Sequence, residues 1–192
     1  AIEGFYVLRY TPDGSRLIGA TFTGELRAVD PARGTSEPLR ADAFADLPGG
    51  YAPPNEFVLN PDGTAALLRR QSYHPSRVLV RHVPLAAEKL IDLRVPDWYH
   101  PATLAYSPDG LHAVTVESQT GWVGFWEVAS GKSLGFVRVV LEDVAWGGGQ
   151  VEVAPDGRAI AVSYSTGHHE YGSKIAVWPW PEVLGAAGEL SK

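Results

Sequence analysis

The tripeptide Pro-Asp-Gly occurs four times in this chain, at residues 12–14, 61–63, 108–110 and 155–157, so successive copies stand 49, 47 and 47 residues apart. A spacing this constant means that one structural unit is repeated, and it limits the fold to repeat architectures before any other feature is weighed. Each copy is led by one more residue, Thr11, Asn60, Ser107 or Ala154. Proline at the second place of a type I turn presets φ, and glycine at the fourth accepts the left-handed conformation without a Cβ clash. Thr, Asn or Ser in the lead position can bond back into the turn. A turn of this kind joins antiparallel strands through a bulge. The turn residues Asp13, Gly14, Asp62, Gly63, Asp109, Gly110, Asp156 and Gly157 are therefore read as structural.

Short β-branched and aromatic runs flank each turn, bounded by Gly, Pro, Asp and Ser, which is the signature of strands. The first run of each repeat covers residues 5–10, 57–59, 104–106 and 151–153. The second covers 17–20, 65–68, 113–116 and 159–163, and the third 26–29, 78–83, 123–128 and 175–178. A fourth run can be drawn in the first three repeats, near 37–39, 90–94 and 134–140. Small residues alternate with large ones, as in Ala159-Ile160-Ala161-Val162, a pattern expected of strands packed on both faces. One turn of helix is allowed near 41–47 or after Trp180. Four strands in each ~47 residues is the content of a propeller blade. The expected blades run approximately over 1–49, 50–97, 98–144 and 145–192, within a single propeller-type domain.

The third repeat carries a family resemblance. Leu104-Ala105-Tyr106-Ser107 before the turn, Ala113-Val114-Thr115-Val116 after it, and the run from Val123 through Phe125, Trp126 and Glu127 to Lys132 resemble a WD repeat. The first repeat has a similar third-strand ending, from Ala28 to Gly34. The second and fourth are more divergent. The Trp-Asp pair of the family is replaced by Trp126-Glu127, and no Gly-His pair precedes an inner strand. The resemblance implies an all-β propeller with four blades, each a four-stranded antiparallel sheet. Rings of this kind usually hold more blades, so the four are expected to form half of a larger, seven- or eight-bladed ring. Missing sequence or a second copy, as a homodimer, would complete it, because an open array would expose more apolar surface than monomers tolerate.

Composition removes several classes of function. Neither cysteine nor methionine is present. Disulfides, thiolate metal sites and cysteine nucleophiles are thus excluded, consistent with a reducing, cytoplasmic setting. No apolar run approaches the ~20 residues of a membrane-spanning helix. The net charge of −6 argues against nucleic acid or an anionic membrane as partner. Arg69, Arg70, Arg77 and Arg81 make a local basic cluster, read as solvated charges on strand edges that discourage sheet-to-sheet pairing. The excess of arginine over lysine suggests a bacterial, GC-rich source.

The family geometry puts the loops at 21–25, 40–56, 71–77, 95–102, 118–121, 138–150 and 164–173 on one face. These hold most of the exposed-type aromatics and histidines. Asp97-Trp98-Tyr99-His100-Pro101 is the densest and ranks first as a partner-binding surface. Tyr73 and His74 follow, then His168, His169 and Tyr171, with Trp146 and Tyr51 in the remaining loops. Aromatic and histidine side chains with few lysines resemble the core of a protein interface. His74, His100, His168 and His169 raise the question of metal, with Asp97 or Glu170 as an oxygen ligand. Their spacing is not that of a zinc site, and no metal or cofactor is expected. No nucleophile elbow, metalloprotease helix or phosphate loop occurs, so no catalytic residue is expected either. Three readings of function stay open: a non-catalytic scaffold for a protein or peptide, a propeller enzyme or ligand binder with a central pocket, and the structural tail of a larger protein.

Overall fold

The computed structural model describes residues 4–44, 54–71, 78–86, 89–117, 120–138, 149–166, 172–180, 182 and 185. They are built almost wholly of strands. β1 (Phe5–Tyr10), β2 (Leu17–Thr21), β3 (Leu26–Asp30) and β4 (Thr35–Arg40) form the first sheet. The second holds β5 (Glu56–Leu59), β6 (Ala65–Gln71), β7 (Val78–Pro84) and β8 (Ile91–Leu93). The third holds β9 (Pro101–Tyr106), β10 (His112–Glu117), β11 (Trp122–Glu127) and β12 (Lys132–Arg138). In the fourth sheet the described residues supply three strands, β13 (Gln150–Val153), β14 (Ala159–Thr166) and β15 (Gly172–Pro179). Each strand pairs antiparallel with the next in sequence, so every sheet is a meander. Helical backbone occurs at Trp180, Glu182 and Gly185, where the sequence allowed a helical turn. No helix among the described residues is long and apolar enough to cross a membrane.

The four Pro-Asp-Gly turns share one geometry. The glycine N–H donates to the carbonyl of the lead residue, at 2.8 Å for Thr11, 3.0 Å for Asn60, 2.9 Å for Ser107 and 2.8 Å for Ala154. The glycines take φ of 70°, 72°, 71° and 68°, the left-handed region in which a side chain is strained. The aspartate accepts the N–H two residues on in every copy: Ser15, Thr64, Leu111 and Arg158, at 2.9–3.0 Å. Three lead residues add a bond across the turn. Thr11 Oγ1 accepts the Arg16 N–H at 3.0 Å, Asn60 Oδ1 that of Ala65 at 2.8 Å, and Ser107 Oγ that of His112 at 2.9 Å. Ala154 has no side-chain oxygen with which to do this.

The chain divides into two compact units, Ala1–Leu93 and Arg94–Lys192, each holding two sheets. In the first unit Ile18, Ala20 and Leu26 of the first sheet pack against Phe57, Ala66, Leu68 and Val83 of the second. In the second unit Ala105, Val114, Val116, Val123 and Phe125 of the third sheet pack against Val151, Ile160 and Val162 of the fourth. Both are sheet-on-sheet cores made from the inward half of each strand's alternation.

The arginine cluster requires a correction. Arg69, Arg70 and Arg81 are buried, not solvated at an edge, while Arg77 lies outside the described residues. The reason is their place: β6 and β7 are the two inner strands of the second sheet. Burial of a guanidinium demands partners, and the fold supplies them. Arg81 grips both carboxylate oxygens of Asp92, at 2.5 and 3.1 Å, and donates to the Ala43 carbonyl at 2.9 Å. Arg69 donates to Asn55 Oδ1 at 2.8 Å, and Arg70 lies 4.9 Å over the Phe44 ring.

Candidate functional site

The loop between β8 and β9 carries the residues that the sequence ranks first, and the structure divides them. Trp98 is 56% exposed, whereas its neighbour Tyr99 is 1% exposed. The Tyr99 N–H donates to the Pro96 carbonyl at 3.0 Å, and the two rings meet edge-on with centroids 5.6 Å apart. Tyr99 runs beneath the loop into the third sheet. Its hydroxyl lies 2.7 Å from Thr115 Oγ1 and 2.9 Å from the Thr115 carbonyl, and it accepts the Gly124 N–H at 3.1 Å. Burial pushes this phenol well above its ordinary pKa, so it serves as a neutral hydrogen-bonding anchor. Of the Trp98-Tyr99-His100 triplet, Tyr99 is thus out of a partner's reach.

Trp98 sits on a bed of rings. Its centroid lies 5.0 Å from Phe136, 5.6 Å from Tyr99 and 6.2 Å from Trp122. Phe136 in turn meets Tyr99 at 4.9 Å and Trp126 edge-on at 5.6 Å. Gly124 makes this packing possible. A Cβ there would come within 2.2 Å of the Trp126 ring and 2.8 Å of Phe136, so only glycine lets the two aromatics lie across the sheet. The Trp126 indole nitrogen has no hydrogen-bond partner among the described residues.

Polar groups rim the corner. His100 is exposed, and its backbone N–H donates to Glu117 Oε1 at 3.3 Å. Glu117 is a buried carboxylate that also receives the Thr120 hydroxyl. The exposed Arg138 donates to the Thr120 carbonyl at 3.2 Å, and Asp97 is exposed beside Trp98. The corner thus holds one open tryptophan packed on the rings of Tyr99, Trp122 and Phe136, with Asp97 and His100 exposed beside it in the sequence.

The other sequence candidates fall differently. Tyr51, Tyr73, His74, Trp146, His168, His169 and Tyr171 lie outside the described residues. Two further aromatics lie in the loops at 21–25 and 40–56: Phe22 is exposed against Tyr6, whereas Phe44 is buried beneath Arg70 and Arg81. Among the described residues no three His, Asp or Glu side chains gather as a metal cluster. Sequence reasoning passed over Trp122 and Phe136, which complete the corner. The available signal was Gly124 inside a strand pattern, which marks a close approach of bulky neighbours.

No family model and no curated protein matches the chain in sequence. Solved structures do resemble it in fold. The Kuenenia stuttgartiensis hydrazine synthase superposes with a TM-score of 0.62 at 18% identity, over 94% of this chain and 47% of that one. The β-propeller domain of Myceliophteria thermophila Cps50 (Swd1) gives 0.62 at 16% identity, over 91% of this chain and 53% of that one. A putative TolB from Agrobacterium tumefaciens gives 0.60 at 17% identity, over 91% and 58%. The fold is that of a β-propeller, as the repeats imply, and the chain spans about half the length of each of these proteins.

Proposed function

From a propeller chain whose third blade ends in an open aromatic corner, we propose a non-catalytic interaction scaffold that binds a peptide or protein loop through Trp98. The observation that supports it is the contrast at that corner: Trp98 open to solvent, with Tyr99, Trp122 and Phe136 fixed against it. An indole already held by neighbouring rings loses little rotamer freedom on binding, which removes one of the costs of association. Its flat face suits an aliphatic or aromatic side chain of the partner. His100, Asp97 and Arg138 at the rim suit the partner's main chain and charges, the usual division between the centre and the edge of an interface. In this reading the chain performs no chemistry of its own.

The test is a displayed random-peptide selection on the wild-type chain, followed by titration of the enriched peptides against Trp98→Ala. Loss of a central anchor of this type costs about 2 kcal/mol, which is roughly a thirtyfold weaker Kd. Circular dichroism should show the fold retained, although the midpoint falls somewhat because three ring contacts are lost with the indole. Peptides that bind Trp98→Ala as tightly as the wild type would remove the corner from the reading.

A further inference from the structure

Glycine follows aspartate in each of the four turns, and nowhere else in the chain does glycine follow aspartate or asparagine. Such a pair is open to cyclisation, because a glycine without Cβ does not hinder approach of its nitrogen to the aspartate carboxyl. The glycine nitrogen attacks Cγ, a C–N bond forms, and the amide proton leaves with the carboxyl hydroxyl as water. The product is a five-membered succinimide. Water then opens the ring at either carbonyl, giving back aspartate or giving isoaspartate, whose main chain runs through the side-chain methylene. The carboxyl must therefore be neutral, and free to swing onto the nitrogen.

The glycine nitrogen is held alike in all four copies, by the lead carbonyl at 2.8–3.0 Å, so the copies differ only at the carboxylate. A hydroxyl can reach it from the lead residue or from the residue after the glycine. Asp13 accepts the hydroxyls of Thr11 and Ser15 at 2.6 and 2.8 Å, Asp62 that of Thr64 at 2.6 Å, and Asp109 that of Ser107. Thr11 lowers the pKa of Asp13 and Thr64 that of Asp62, while at Asp109 the bonds from Ser107 and Leu111 outweigh partial burial; all three turns thus hold less of the neutral acid. In the fourth turn the two places are Ala154 and Arg158, and neither has a hydroxyl. Asp156 keeps the Arg158 N–H at 3.0 Å, the bond common to every copy, and an ion pair with the Arg158 guanidinium at 3.8 Å. Both of those side chains are exposed, where an ion pair restrains little. A neighbouring blade does not change this: Asp13 stays exposed although the second sheet packs on the first, and its bonds come from its own turn.

We propose that Asp156-Gly157 is a site of spontaneous main-chain modification, at which succinimide and isoaspartate form in the folded chain ahead of the three sister turns. Isoaspartate at this place lengthens the link between β13 and β14 by one methylene. Those strands carry Val151, Ile160 and Val162 onto the third sheet, so the fourth blade is the one that loosens first as the chain ages.

Incubated in heavy-oxygen water at mildly acidic pH, the folded chain takes up one heavy oxygen each time a ring opens. Digestion in ordinary water followed by mass spectrometry assigns the label to each aspartate, and electron-transfer fragmentation separates isoaspartate from aspartate. Label should enter Asp156 roughly fivefold faster than Asp62, the rate factor of about one hydrogen bond. Ala154→Ser should slow Asp156, and Thr64→Ala, at an exposed position, should bring Asp62 up to the rate of Asp156. In denaturant the four rates should converge. Equal rates in the folded chain, or no label at Asp156, overturn the proposal. So does an Ala154→Ser variant that takes up label as fast as the wild type. The same ranking in denaturant overturns it too, since the cause would then be local sequence and not the bonds of the turn.

Discussion

Arg81 in the second sheet and Gly124 in the third hold the same place in two consecutive blades. Each lies directly across the sheet from the residue six positions after the turn aspartate, Leu68 in one and Thr115 in the other. In the second sheet the place is filled by a guanidinium, which reaches out to the Ala43 carbonyl and lies 5.5 Å over the Phe44 ring. In the third it is left empty, and Tyr99 reaches in to bond Thr115 and Gly124. The outcome is the same: the link that leads into a sheet is pinned to the middle of that sheet. The chemistry is opposite, cationic in one blade and aromatic in the other. The turns and strand pairings specify a blade, and the content of its face is free to differ as long as buried groups find partners.

The hardest test of that comparison is to exchange the two solutions' weak points. Gly124→Ala places a methyl group against the fully buried Trp126 ring and the partly buried Phe136 ring. Overpacking of this kind costs roughly 1–3 kcal/mol, and with displacement of Trp126 it approaches the ~3–5 kcal/mol of deleting a buried aromatic. Arg81→Met combined with Asp92→Asn should cost less, because a buried ion pair whose two charges are removed together can be replaced at about no net cost, whereas removing one partner alone costs roughly 3–5 kcal/mol. Chemical denaturation of the two variants ranks them. If the Arg81→Met, Asp92→Asn variant proves the worse, the cationic pin contributes more than the aromatic one and the equivalence drawn above fails.

A smaller change separates the hydroxyl of Tyr99 from its ring. Tyr99→Phe keeps the packing against Phe136 and Trp126 but leaves Thr115 and the Gly124 N–H short of a partner in a dry site. The expected loss is about 1–2 kcal/mol, set by the desolvated groups left behind. Hydrogen exchange should place the effect at Gly124 and in the link at 95–100, with the first unit unchanged. A loss spread evenly over both units would mean that Tyr99 supports the whole chain and not the link alone.

The same pair of residues shows what the sequence makes legible. The turns can be read from it because their bonds close within five residues: lead residue, aspartate and glycine each act on a neighbour. The strands follow from alternation between those turns. Trp98 and Tyr99, by contrast, look alike in sequence, two aromatics in one loop. What buries one and exposes the other is a hydroxyl partner sixteen residues on and an amide twenty-five residues on. Arg81 looks like a surface charge for the same reason, since Ala43 stands thirty-eight residues away. Exposure at a site is decided by strand register between repeats, and residue type alone does not carry that information.

The mildest test lies in the turns, where the comparison becomes one of four copies of a single device. Asp13 accepts from the Thr11 hydroxyl at 2.6 Å, from the Ser15 N–H at 3.0 Å and from the Ser15 hydroxyl, and these bonds hold its pKa down to about 2. Hydrogen bonds from Thr64 lower Asp62 in the same way; at Asp109 partial burial works against the bonds from Ser107 and Leu111, and the pKa is still lowered. A carboxylate whose pKa is lower in the folded chain than its unfolded value near ~3.9 favours folding at every pH above that value. The contribution of Asp13 is then lost as pH falls from about 4 to about 2. Thr11→Ala removes the largest of the bonds, so the Asp13 carboxyl, followed by NMR, should titrate measurably higher and the acid limb of the stability curve should start at higher pH. The fourth turn offers the converse. Ala154→Ser supplies the hydroxyl that the other lead residues use across the turn, and should add about 0.5–1 kcal/mol at neutral pH. If Thr11→Ala leaves the Asp13 titration in place while Ala154→Ser adds nothing, the lead residue is incidental and backbone geometry alone maintains the repeat.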